Sequence, residues 1–154
     1  MRIAASFTAR VAPSAAGGTC LYLAEATITL GLEHRVIHLA SDFRDTEPCI
    51  AAQILGHEQR HVALDDKLLT EAAQSLRAAQ PEKFAALNGV WGADEAAARE
   101  ETRRRLRVAT EALERDIQHD RKIAHALQID TPEERRRLLA SCNGRLVQLH
   151  PEFR

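Results

Sequence analysis

The sequence predicts an α+β fold, a small antiparallel three-stranded sheet followed by three helices. Apolar residues alternate with period two through residues 2–40, then recur every three or four residues from about 47 onward. Proline, glycine and capping residues divide that second part into helices of defined length. The chain of 154 residues, 45% apolar and 28% charged, has the size and composition of one globular domain covering 1–154.

Residues 2–11 open the sheet: Ile3, Ala5, Phe7, Ala9 and Val11 face one way, and Arg2, Ser6, Thr8 and Arg10 the other. Pro13–Gly18 is a turn-rich connector. Residues 20–32 give a second strand with Tyr22, Ala24, Ala26, Ile28 and Leu30 on one face, and residues 34–40 a third with Ile37 and Leu39 inward. Thr46 is the expected N-cap of a helix over about 47–79, with Pro48 in its first turn. Pro81 and Asn88-Gly89 break the pattern, and Trp91 is expected as a local core plug in the connection. A second helix runs from Asp94 to about Gln128, with Leu106, Leu113, Ile117, Ala124 and Leu127 as its apolar stripe. Thr131-Pro132-Glu133-Glu134 is a capping box that opens a third helix over 132–142, stopped by Asn143-Gly144. The first two helices are expected to pack as an antiparallel hairpin.

The first long helix carries His57-Glu58-Gln59-Arg60-His61, an H-E-x-x-H sequence. Residues four apart share a helix face, so both imidazoles can reach one metal ion, and Glu58 is placed to act as general base. Leu64 and Leu68 lie near the same stripe, which turns this face inward, and buried polar groups need partners. Zn2+ is the expected cofactor, and catalytic zinc takes three protein ligands and one open position. Asp120, within the apolar stripe of the second helix, is the expected third ligand; Asp116 lies at its margin. His125 is either an alternative ligand or a group that steadies a tetrahedral intermediate, and Asp65 is a candidate for ligation or for support behind the ligands. Gly56 marks either a close approach by a strand or substrate or ordinary packing.

These residues resemble a group of small bacterial zincin-like domains, described as secreted zinc-dependent proteases of unknown function. Those domains have a few strands, then a helix with an H-E-Q-x-H motif, and further on an Asp followed five residues later by a His. His57–His61 matches the first motif, and Asp120 with His125 the spacing of the second; Ile123 and Ala126 stand where the family tends to carry Thr and Gly. The resemblance covers residues 20–127 in order of elements. It implies a zinc metallopeptidase of the periplasm or exterior, acting on a peptide or protein substrate. Zinc would acidify a water and polarise the scissile carbonyl, with Glu58 moving the proton and His125 or Tyr22 steadying the oxyanion. The third strand, with His34 and His38 on one face, would serve as a platform for an extended peptide.

Other readings compete: a zinc-binding module without turnover, and a metal-free helical partner-binding domain. A nucleic-acid binder using Arg103–Arg105 and Arg135–Arg137 is disfavoured by adjacent glutamates and a net charge of -1. No apolar run reaches the length of a membrane span, and residues 1–6 have no signal-peptide apolar core, which leaves the cytoplasm open. Cys20, Cys49 and Cys142 form no C-x-x-C pair and are either one disulfide with a free thiol or three small buried residues.

Overall fold

The computed structural model describes residues 2–33, 35–78 and 85–153. The class is α+β, with a three-stranded antiparallel sheet and four helices among the described residues. They group into two compact units, one of residues 1–33 and 69–118, the other of residues 34–68 and 119–154.

The first unit holds the sheet. β1 (Arg2–Pro13) and β2 (Thr19–Gly31) form a hairpin whose turn is closed by Ser14 N–H to the Gly18 carbonyl (3.1 Å) and Gly17 N–H to the Ser14 carbonyl (3.0 Å). Gly17 and Gly18 have φ of +85° and +77°, which side chains resist. Thr8 pairs with Glu25 but Ala9 with Leu23, so Ala24 is an extra residue. This bulge reverses the alternation of β2. Ala26, Ile28 and Leu30 lie inward as expected, whereas Tyr22 and Ala24 are exposed and Leu21 and Leu23 take the inner side.

The third strand is not at 35–40. His34 lies outside the described residues, and 35–40 form no strand, although Ile37 and Leu39 are half-buried and Val36 and His38 exposed as the alternation requires. The pairing partner is β3 (Val90–Gly92), which runs antiparallel to Thr19–Leu21. The part of the expected platform at His38 is therefore no sheet edge. Trp91 is 55% exposed rather than a core plug, and its indole N–H donates to the Gly17 carbonyl (2.9 Å).

The helices are α1 (Ser41–Thr46), α2 (Pro48–Ala78), α3 (Glu95–Gln128) and α4 (Pro132–Leu149). Thr46 closes α1 instead of capping α2; its hydroxyl donates to the Asp42 carbonyl, and the Glu47 carbonyl accepts the first bond of α2, from Ala51 N–H (3.0 Å). Asp94 caps α3 through Ala97 N–H (2.8 Å), and Thr131 caps α4 through Glu134 N–H (3.1 Å). The α4 path breaks at Ser141–Gly144, where Cys142, Asn143 and Gly144 are left-handed, and then resumes. That break is the stop expected at Asn143-Gly144.

In the second unit, α2 and α3 pack antiparallel: His61 meets His125 and Asp65 meets Arg121, so numbers rise on one helix as they fall on the other. Leu64, Ala124 and Ile129 form its buried cluster, with Leu68 against it. Leu127, expected in the stripe, is 72% exposed. A disulfide joins Cys49 in the first turn of α2 to Cys142 in the α4 break, leaving Cys20 as a free, half-buried thiol.

Candidate metal centre

His57 and His61 lie one turn apart on α2, and their Nε2 atoms are 3.1 Å from each other. Asp130 supplies a third donor. Its Oδ1 is 3.1 Å from His61 Nε2 and 3.4 Å from His57 Nε2. The three atoms thus form a triangle with edges of 3.1, 3.1 and 3.4 Å. A tetrahedral ion about 2.0–2.1 Å from each donor separates its ligands by about 3.3 Å. Both imidazoles are largely buried (14% and 17% exposed), while Asp130 is 49% exposed, so the group has one wet side. A proton on one ring satisfies one edge of this triangle; a divalent cation satisfies all three.

Asp130 is held from both sides. Its N–H and that of Ile129 both bond the His125 carbonyl (2.9 Å each), wrapping the chain over the end of α3. Ile129 anchors the turn in the buried cluster, and Thr131, on the other side, is the α4 cap.

Behind His61 stands a chain of polar groups. His61 Nδ1 is 2.7 Å from His125 Nδ1, and His125 Nε2 is 2.7 Å from Asp65 Oδ1. Arg121 donates to both Asp65 oxygens, through Nε to Oδ1 and through Nη2 to Oδ2 (2.8 Å). One proton arrangement serves this chain while leaving His61 Nε2 a lone pair: Nδ1–H of His61 donates to His125, and Nε2–H of His125 donates to Asp65. Asp65 is 6% exposed; burial pushes its carboxyl up, but the bonds from Arg121 and His125 outweigh this and hold it below the usual range.

His57 has its own surroundings. Its Nδ1 is 3.3 Å from Arg60 Nη2 and 3.6 Å from Glu134 Oε1. Glu134 also pairs with Arg60 and accepts from Arg137 at 2.7 and 2.8 Å. These contacts, led by the Arg137 hydrogen bond, lower the Glu134 carboxyl to about 2. Glu58 is half-buried and makes no ion pair among the described residues.

The predicted pair His57 and His61 is assembled, but the predicted third ligand is not. Asp120 is exposed. It lies next to Arg121, about 100° around α3 from the Arg121–His125 face that meets α2. Asp116 is exposed as well and belongs to the sheet-bearing unit. His125 has both ring nitrogens engaged behind His61, which fits neither ligation nor a place beside an oxyanion. Asp65 takes the supporting place considered for it, one group further back. Tyr22 belongs to the sheet-bearing unit, with its ring edge toward the Gly89 turn. Gly56, next to His57, has nothing within 4 Å of where a Cβ would stand, so no strand packs there.

The arginine runs form ion pairs along their own helices: Arg104 and Arg105 with Glu101, Arg103 with Glu100, Arg136 with Glu133, and Arg137 with Glu134. No helix among the described residues is long and apolar enough to cross a membrane. No family model, curated protein or solved structure matches this chain.

Proposed function

We propose that this protein is a zinc-dependent peptidase with His57, His61 and Asp130 as ligands and Glu58 as the group that moves the proton. The donor triangle carries this reading. Its edges fit a tetrahedral ion, and two neutral imidazoles with one carboxylate are a donor set suited to zinc. When bound, zinc supplies an acidified water and polarisation of the scissile carbonyl.

The residues of the chain do the rest. Asp65 and Arg121 fix His125, which fixes the ring of His61 and aims its Nε2 at the triangle. Glu58 follows His57 directly and has no competing ion pair among the described residues, so its carboxylate is available to accept a proton and return it to the leaving amine. The half-exposed Asp130 side leaves room for substrate. The Cys49–Cys142 disulfide supports an oxidising location, periplasmic or extracellular.

The test begins with protein purified without chelator. It should carry one zinc per chain, and His57→Ala and His61→Ala should each lose it. Glu58→Gln should keep the zinc and lose peptide hydrolysis by about 10²- to 10⁴-fold. Absence of zinc binding would refute the metal site. Zinc binding with wild-type turnover in Glu58→Gln would refute the role of Glu58, and zinc binding with no turnover in any variant would leave a binding module.

A further inference from the structure

In the sheet-bearing unit a cleft of about 480 Å³ lies between β1 and α3, independent of the metal centre. Its size is within the range of ligand clefts, about 300–1,000 Å³. Phe7 and the buried Leu106 line it, together with Arg99, Arg103 and Arg107. Ala5, Ser6 and Phe7 all take part, although neighbouring strand side chains point to opposite faces. Ala5 and Phe7 share one strand face, so Ser6 between them reaches the cleft through its backbone. β1 is an end strand in the order β1-β2-β3, so the far edge of its backbone is not used by the sheet.

The arginines recur at every fourth position and share one side of α3. Arg99 is held by Glu95 (2.7 Å) and Arg103 by Glu100 (3.2 Å), both exposed pairs that yield readily to a better partner. Arg107 is exposed and makes no ion pair among the described residues.

We infer that this cleft binds an acidic peptide in extended form, added as a strand to the free edge of β1 with alternate carboxylates on the arginines of α3. Four residues of helix advance about 6 Å, and two residues of strand about 6.7 Å. Aspartates or glutamates at every second position therefore meet successive guanidinium groups. The β1 backbone gives such a peptide its hydrogen bonds, and the arginines give it its selectivity. A duplex nucleic acid would use the charge but not the strand edge.

The probe is a labelled eight-residue peptide alternating Asp with Thr, titrated into the full-length protein and followed by fluorescence anisotropy. Binding should weaken at least tenfold when Asn replaces Asp, in the Arg103→Gln/Arg107→Gln double variant, and in high salt. Methylating alternate peptide amides should abolish binding in one phase and spare it in the other, a readout that needs no change to the protein. Equal binding of the Asn peptide, indifference to the double variant, or tolerance of methylation in both phases would overturn the inference. So would full displacement by a short DNA duplex of equal charge.

Discussion

His61 has both ring nitrogens committed, Nε2 to the triangle with His57 and Asp130 and Nδ1 to His125. A ring fixed in this way makes a better ligand than a free one, because its tautomer and its aim are set before the ion arrives. Asp130, which completes the triangle, carries no periodic signal in the sequence. The periodic stripe of the second helix points to Asp120 as the third ligand. Asp130 stands in a turn, where there is no period to follow. The available signal was its position directly before the Thr131 cap, where the chain must reverse beside the end of the preceding helix. Arg121 carries no such signal either, since its worth depends on Asp65, 56 residues away. These assignments predict an order of zinc affinities by competition with a chelator dye. Outer partners of zinc ligands are worth about 10- to 100-fold in affinity, and a ligand at least as much. Asp130→Asn should therefore fall by tenfold or more, His125→Ala should lie within that range, and Asp120→Asn should match the wild type. A loss in Asp120→Asn equal to that in Asp130→Asn would reverse the assignment.

At the scale of elements, α2 places its two imidazoles by helical repeat alone, yet Gly56 interrupts a helix of otherwise good formers. With nothing within 4 Å of a Cβ at that position, Gly56→Ala should stabilise the protein by about 0.5–1 kcal/mol in urea unfolding. Its zinc affinity should not change; a destabilised variant would mean that the helix needs the glycine. The long helices were legible because 3.6 periodicity runs through the 31 residues of α2 and the 34 of α3, and the Asp94 and Thr131 caps mark where α3 and α4 begin. The sheet was legible only in part. Alternation marked β1 and β2, but the bulge at Ala24 exchanged the faces of half of β2, and no pattern announces a bulge. Three residues of β3 are too few to alternate, whereas 35–40 alternate in burial without pairing. Alternation reports which side of a segment is covered; ladder formation depends on a partner elsewhere in the chain.

For the molecule as a whole, the Cys49–Cys142 bond is the covalent constraint that joins distant sequence, across a separation of 93 residues. It ties the first turn of α2, the helix of His57 and His61, to the break in α4, the helix whose start carries Glu134. The same two helices are also joined by the Arg60–Glu134 ion pair, the Arg137–Gln53 hydrogen bond (3.2 Å) and, just before α2, the Arg145–Glu47 ion pair (2.7 Å), none of them covalent. The disulfide is thus the strong link. In the chain-entropy account, closing a loop of this length restricts the unfolded state enough to stabilise the fold by about 4–5 kcal/mol. The bond is also made at a turn where Cys142 sits at positive φ, at a cost to such a residue of roughly 1–2 kcal/mol, beside Asn143, which tolerates that region. Besides the bond, the turn is held by hydrogen bonds from the Ser141 hydroxyl to the Leu138 carbonyl (2.6 Å) and from the Gln148 amide to the Asn143 carbonyl (3.2 Å). Dithiothreitol should therefore shift the urea midpoint sharply downward. Cys49→Ser/Cys142→Ser should unfold at the same low midpoint with or without reductant, while Cys20→Ser should behave as the wild type does. A wild-type midpoint unmoved by complete reduction, verified by thiol counting, would show that packing alone holds α2 against α4.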